Sequence, residues 1–177
     1  ANSTYLVALD PSLGTGGDPS AIQVFELPSF TQVAEWQHNK TDIRGQLRIL
    51  VGITTYLTEE VKKLGKQDVY WSVENNTLGE AALVAIEEYG EERISGIFLS
   101  EPAKAGVSRR YRKGFNTTNK TKLSACAKLK QLIESRKLIV ASKALVSEFK
   151  TFVALGNSFA AKPGETDDLV MAMLLAV

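Results

Sequence analysis

Tyr5-Leu-Val-Ala-Leu-Asp10-Pro-Ser-Leu-Gly14 is the stretch on which the fold of this chain turns. A short apolar run leads straight into Asp10-Pro11, and the glycines of Gly14-Thr-Gly-Gly-Asp18 follow. Such a run between turn signals reads as an interior strand that breaks into a loop at a carboxylate. Just beyond it, residues 21–27 and 31–38 mix β-branched, aromatic and polar residues about Pro28-Ser29. Together with the opening run they predict a meander of three strands.

The next segment changes period. Ile43, Leu47, Leu50, Val51, Thr54, Leu57, Val61 and Leu64 recur at threes and fours, which is one face of a helix. Asp42 or Thr41 is placed to cap it. Val69-Tyr-Trp-Ser-Val73 then repeats the opening pattern, a buried strand ending at a carboxylate, Glu74. Helical spacing returns over 77–89 up to Gly90, and residues 94–99 read as another strand. Residues 101–116 show no clear periodicity. Helices are predicted over 120–136, over 143–155 after Leu138-Ile-Val140, and again from Asp167-Asp168. A meander followed by alternating strands and helices predicts an α/β fold, a mixed central sheet with helices on both faces, in the order of the ribonuclease-H-like class.

Composition agrees with one globular domain over residues 1–177: 44% hydrophobic and 23% charged residues exclude a disordered or collagen-like chain. The longest apolar run, 169–177, is far short of the roughly 20 residues that cross a bilayer, and no signal peptide opens the chain, so neither a membrane partner nor secretion is expected. The chain starts without Met and stops inside a helical pattern, as an excised domain would. Cys126, the single cysteine, stands between alanines on a helical face and is expected to be a small buried residue.

The chemistry rests on carboxylates. Asp10 and Glu74 each end an apolar strand, and Asp167-Asp168 opens an apolar helix. If the two strands are neighbours, their ends bring two acids together, and packing of the last helix delivers a third. Two like charges about 4 Å apart repel by roughly 4 kcal/mol at an effective dielectric near 20. Something positive must offset that, and Mg2+, which prefers oxygen ligands and phosphate oxygens, fits. Two such ions roughly 4 Å apart activate a water and stabilise the leaving oxygen in phosphodiester hydrolysis. Taken singly, each acid has a plainer role: Asp10 in a turn, Glu74 at a strand end, Asp167 or Asp168 at a helix start. Asp167 and Asp168 compete for the inward position, and Asp18 is a candidate outer group.

Other chemistries lack material. His38 is the only histidine and is assigned to the surface, which leaves no Ser-His-Asp triad or histidine-rich zinc site. The Gly14–Gly17 loop lacks the GxxxxGK[ST] form of a phosphate loop. Basic residues are concentrated instead: Lys104, Arg109, Arg110, Arg112, Lys113, Lys120, Lys122, Lys128 and Lys130 stand between Pro102 and Ile133 with no acid among them. Neutralisation of phosphates by such residues is the main sequence-independent term in DNA binding. On the helix, Lys128 and Lys130 read more simply as a solvated face.

The opening Tyr5–Gly14 stretch, Val69-Tyr-Trp-Ser-Val-Glu74-Asn75, the helix entry Thr118-Asn-Lys120-Thr-Lys122 and Asp167-Asp168-Leu-Val-Met171 resemble, in order and spacing, the nuclease domain of tailed-phage large terminases, especially the T-even type. The resemblance covers nearly the whole chain. It implies a ribonuclease-H-like endonuclease that cuts concatemeric double-stranded viral DNA, with little sequence preference, at the start and end of genome packaging in the host-cell cytoplasm. The family's metal-binding acids carry over to Asp10, Glu74 and Asp168, with Asp167 as an additional candidate. The implied cofactor is Mg2+ or Mn2+, as two ions with DNA bound. In a full-length protein the implied partners are an ATPase domain, the portal and the small terminase subunit. No Walker motif is present, so ATP hydrolysis and translocation are not assigned to this chain.

Three rivals differ in class. An actin-like or sugar-kinase ATPase shares an Asp followed by Gly and Thr, but needs two such halves, more than 177 residues hold. A Holliday-junction resolvase or transposase-like nuclease shares the chemistry. A non-catalytic DNA-binding module would not need to keep three carboxylates.

Overall fold

The computed structural model describes residues 3–65, 68–75, 79–101 and 113–177. Strands β1 (Thr4–Asp10), β2 (Ser20–Leu27) and β3 (Thr31–His38) form the expected antiparallel meander. Helix α1 (Ile43–Leu64) returns the chain to β4 (Val69–Val73), which lies parallel to β1. Helix α2 (Gly79–Tyr89) and a 3-10 turn over Glu91–Arg93 lead to β5 (Ile97–Phe98), parallel to β4. The sheet order is β3-β2-β1-β4-β5, which puts β1 at its centre. Helices α3 (Asn119–Glu134) and α4 (Lys143–Thr151), a hairpin of β6 (Phe152–Leu155) and β7 (Ser158–Ala161), and helix α5 (Asp168–Leu174) follow.

Side-chain alternation along the central strands separates two cores. Val7 and Leu9 of β1, Ile22 and Val24 of β2, and Trp71 and Val73 of β4 face α1 and α2, where Leu47, Leu50, Val61, Ala82 and Ile86 meet them. Leu6, Ala21 and Phe25 face the other way, onto Leu129 of α3, Leu145 of α4 and Leu169, Val170, Ala172 and Met173 of α5. Cys126 packs half-buried against this second core, less enclosed than the alanine context predicts. Burying each large apolar side chain contributes about 1.5–3 kcal/mol, so both helical layers are held to the sheet by packing. No helix among the described residues is long and apolar enough to cross a membrane.

The elements depart from the sequence reading in two places. The strand expected at 94–99 is only Ile97–Phe98: Ile94 closes the 3-10 turn, and Gly96 has φ +96° and lies where a Cβ would fall 2.7 Å from the Val69 carbonyl oxygen. The helix expected over 143–155 stops at Thr151. Phe152–Leu155 pairs instead with Ser158–Ala161 across Gly156-Asn157, where Gly156 has φ +58°. A Gly-Asn pair between aromatic and apolar runs is a hairpin signal that outweighs the helical spacing.

A carboxylate site at the ends of β1 and β4

The register of the parallel pair places the first two acids. Leu9 lies opposite Val73, and the Glu74 N–H donates to the Leu9 carbonyl at 2.9 Å, so Asp10 and Glu74 emerge side by side. Both are an even number of residues from Leu6 and Tyr70, whose side chains belong to the α5 side of the sheet. The two carboxyls hydrogen-bond each other and are buried, at 7% and 3% exposure.

Asp168, the first residue of α5, approaches from the helical layer. Burial, then hydrogen bonding and charge from Glu74, then the charges of Asp168 and Asp167, hold the Asp10 carboxyl well above the usual carboxylate range. Burial and the charges of Asp167, Asp18 and Glu74 push Asp168 up to about 7, against the opposing pull of its own backbone N–H. Asp18 is exposed on the loop after β1 and joins the group only through its charge. Among the described residues no Lys or Arg forms an ion pair with Asp10 or Asp168. Burial and mutual repulsion therefore dominate this pocket.

The acids differ in what they are free to do. Asp167 Oδ2 accepts the Ala161 N–H at 3.1 Å, which ties Asp167 to β7. Asp10 and Glu74 already touch, but among the described residues no three His, Cys, Asp or Glu side chains stand in a group that could hold a metal ion as arranged. Asp168 acts on both of them through its charge. The donor set nonetheless suits a hard divalent cation: it is all oxygen, anionic and, among the described residues, without a cation paired to Asp10 or Asp168.

The loop that follows Asp10 is held in place by α1. Gln46, 1% exposed, donates from Nε2 to the Ser12 carbonyl at 2.7 Å and to the Thr41 carbonyl at 2.8 Å, and accepts the Ser12 N–H at 3.2 Å. After β4, Asn75 Nδ2 donates to the Lys113 carbonyl at 3.1 Å, and Asn75 N–H to the Phe115 carbonyl at 2.7 Å. Gly114, at φ +80°, passes so close to the Val73 carbonyl that a Cβ would fall 2.5 Å from it.

Two further polar residues carry no motif in the sequence. Gln46 and Glu148 occupy apolar faces, between Ile43 and Leu47 and between Leu145 and Phe149. A polar residue breaking an apolar helical stripe was the available signal. Burial, and then the charges of Asp168 and Asp167, raise the Glu148 carboxyl to about 8, while the N–H groups of Leu169 and Val170 pull the other way.

Of the basic residues, Lys104, Arg109, Arg110 and Arg112 lie outside the described residues. Lys113 is ion-paired with Glu91. Lys120 is exposed in the first turn of α3, and the Lys122 ammonium sits 5.6 Å above the Phe152 ring. His38, on the surface, shares a 2.7 Å hydrogen bond with the Thr41 hydroxyl.

Solved structures share this arrangement of elements. The large terminase nuclease of thermophilic phage G20c with bound magnesium aligns at a TM-score of 0.69 and 16% identity, over 98% of this chain and 80% of that one. The cobalt-bound form of the G20c nuclease gives 0.65 and 17% over 98% and 80%. The human cytomegalovirus terminase nuclease domain, soaked with manganese and bound to an inhibitor, gives 0.64 and 14% over 98% and 81%. At these identities the likeness establishes the fold, a ribonuclease-H-like sheet with its helices. The model of the terminase RNaseH-like domain matches residues 7–177, nearly the whole chain, and the chain belongs to that family.

Proposed function

We propose that this chain is the nuclease domain of a viral DNA-packaging terminase, cutting double-stranded DNA by divalent-metal-dependent phosphodiester hydrolysis with little sequence preference. The observation that carries the reading is the buried Asp10–Glu74 carboxyl pair at adjacent strand ends, with Asp168 raising the charge of the same pocket. Family membership favours packaging over a resolvase or transposase-like role. The magnesium, cobalt and manganese of the G20c and cytomegalovirus nuclease structures support Mg2+ or Mn2+ as the cofactor.

Asp10, Glu74 and Asp168 would hold the metal, with Asp167 as a further candidate once released from Ala161. Ions bound there supply an activated water and stabilisation of the leaving oxygen, with two ions the arrangement proposed for the DNA complex. The protein's own part is positional. Two strand ends joined by a backbone hydrogen bond fix Asp10 and Glu74, and α5 carries the charge of Asp168 into the same pocket. The basic residues Lys104, Arg109, Arg110, Arg112, Lys113, Lys120 and Lys122 are proposed to hold the phosphate backbone over the acids, since their charge falls on the segments that follow β5. The ATPase domain, portal and small subunit are the proposed partners of the longer protein, at work in the host-cell cytoplasm.

The test is plasmid cleavage with and without Mg2+ or Mn2+, by the parent and by Asp10→Asn, Glu74→Gln and Asp168→Asn. Metal-dependent nicking and linearisation abolished in each variant is expected. Cutting in EDTA, or undiminished cutting by all three variants, would contradict the proposal.

A further inference from the structure

Glu148 is a buried acid that is not among the proposed metal ligands and that the apolar core does not call for. It stands on α4 between Leu145 and Phe149, 6% exposed, where an apolar residue would satisfy the packing. Its Oε1 and Oε2 lie 3.1 and 3.2 Å from the Leu169 nitrogen, and both accept that single N–H. Leu169 follows Asp168 in the first turn of α5, where backbone N–H groups have no partner inside the helix.

The local residue that would ordinarily supply a cap does not. Asp167 occupies the N-cap position but makes no side-chain cap hydrogen bond, because its carboxylate is turned to Ala161. Capping of α5 thus comes from another helix. That matters for a helix of seven residues, since isolated helices below about 12–15 residues are marginal even in favourable sequences.

Helix α4 is itself tied to the sheet. Ser142 caps it by accepting the Leu145 N–H at 3.0 Å and donates to Glu35 Oε1 at 2.7 Å. Gln32 Oε1 accepts the N–H groups of Ala141 and Ser142 at 3.0 and 2.9 Å, and Gln32 Nε2 donates to Gln23 Oε1 at 2.8 Å and to Glu35 Oε2 at 3.0 Å. A continuous set of hydrogen bonds thus runs from β2 and β3 through the start of α4, and Glu148 on the next turn carries it to the residue beside Asp168.

We infer that Glu148 is a positioning residue for Asp168: by capping α5 from α4 it sets where that helix begins, and so where the Asp168 carboxylate faces the Asp10–Glu74 pair. The inference rests on the proposed reading of Asp168 as a metal ligand. A purely structural cap would stabilise the fold and leave metal affinity alone. Partners that orient a ligand typically change metal affinity by about 10- to 100-fold when removed.

The experiment compares the parent chain with Glu148→Ala, Glu148→Gln and Val61→Ala, the last a cavity variant in the opposite core. Three quantities are measured: hydrogen exchange of the Leu169 amide without metal, Mn2+ affinity from the paramagnetic resonance of free Mn2+, and the melting temperature. Glu148→Ala is expected to lose protection at Leu169 and to bind Mn2+ about 10-fold or more weakly. Glu148→Gln, whose amide oxygen accepts the same N–H, is expected to restore most of both. Val61→Ala is expected to lower the melting temperature and leave the other two unchanged. Should Glu148→Ala fail to fold, Glu148→Met, of similar volume but only a weak acceptor, makes the same comparison. Parental Mn2+ affinity in the acceptor-free variant, or equal impairment of Glu148→Gln, would overturn the inference. Asp168→Ala separates the two levels: if it binds Mn2+ like the parent, the metal reading fails, and if it alone loses Mn2+, only the role of Glu148 fails.

Discussion

Gln46 holds Ser12 by both of its backbone groups, accepting the N–H at 3.2 Å and donating to the carbonyl at 2.7 Å. The loop that leaves Asp10 is thereby fastened to the start of α1, and the same side-chain nitrogen reaches the Thr41 carbonyl at 2.8 Å. A leucine fills the same volume and makes none of these bonds. A buried polar group left without a partner costs about 1–3 kcal/mol, so Gln46→Leu is expected to lower unfolding stability by about that much or more. Urea unfolding measures it, and a change below about 0.5 kcal/mol, the low end for one net hydrogen bond, would show that the clamp contributes little.

Gly14 and Gly16 allow a paired comparison. Both have positive φ, +72° and +93°, but a Cβ on Gly14 would fall 2.1 Å from the Thr41 carbonyl oxygen, while one on Gly16 meets nothing within 4 Å. Gly16→Ala should therefore cost only the conformational part, about 1–2 kcal/mol. Gly14→Ala should cost more and should slow plasmid cleavage by displacing the loop beside Asp10. Equal destabilisation of the two variants would refute the close approach at Thr41.

The raised carboxyls link stability to pH. Asp168 at about 7 and Asp10, also raised, keep their protons in the folded chain at pH values where the unfolded chain has lost them. Their contribution is complete below the ordinary carboxylate range and is lost as pH rises through the folded values. In EDTA the melting temperature should thus fall as pH rises from the ordinary carboxylate range through about 7, less steeply in Asp168→Asn, and excess Mg2+ should raise it more at the higher pH. Parallel curves for the two chains would contradict the assignment of Asp168 to the shared pocket.

For the proposed nucleic-acid surface, Lys120 and Lys122 are the decisive described pair. Lys120→Ala with Lys122→Ala should weaken duplex binding and flatten its salt dependence by about 0.9 in the logarithmic slope for each phosphate that is no longer neutralised. Lys130, 3.7 Å from Glu134 on the exposed side of α3, is the matched control and should change neither. A slope unaltered by the double substitution would leave these lysines as ordinary solvated residues.

Much of this was legible because the central strands write their ends in the sequence. Tyr5–Asp10 and Val69–Glu74 are each an apolar run closed by an acid, and a period of two is enough to put both acids on one face once the strands are adjacent. The hairpin at Phe152–Ala161 was hidden because Phe149, Phe152 and Val153 continue the helical spacing of α4 by coincidence, and only Gly156-Asn157 marked the break. Gln46 and Glu148 were hidden for a different reason: their partners are backbone groups of Ser12 and Leu169, and hydrogen bonds to backbone leave no pattern in side-chain identity. The tie of Asp167 to Ala161 was equally invisible, so spacing left Asp167 and Asp168 in competition and only the family resemblance put Asp168 first, whereas the fold gives Asp167 a partner.

The central claim is most directly tested by a crystal structure of the domain soaked in Mn2+ and measured at the manganese absorption edge. The account predicts anomalous density bonded to carboxylate oxygens of Asp10, Glu74 and Asp168, with Asp168 drawn toward the strand pair. Manganese bound elsewhere, with these three acids holding no ion between them, would contradict it.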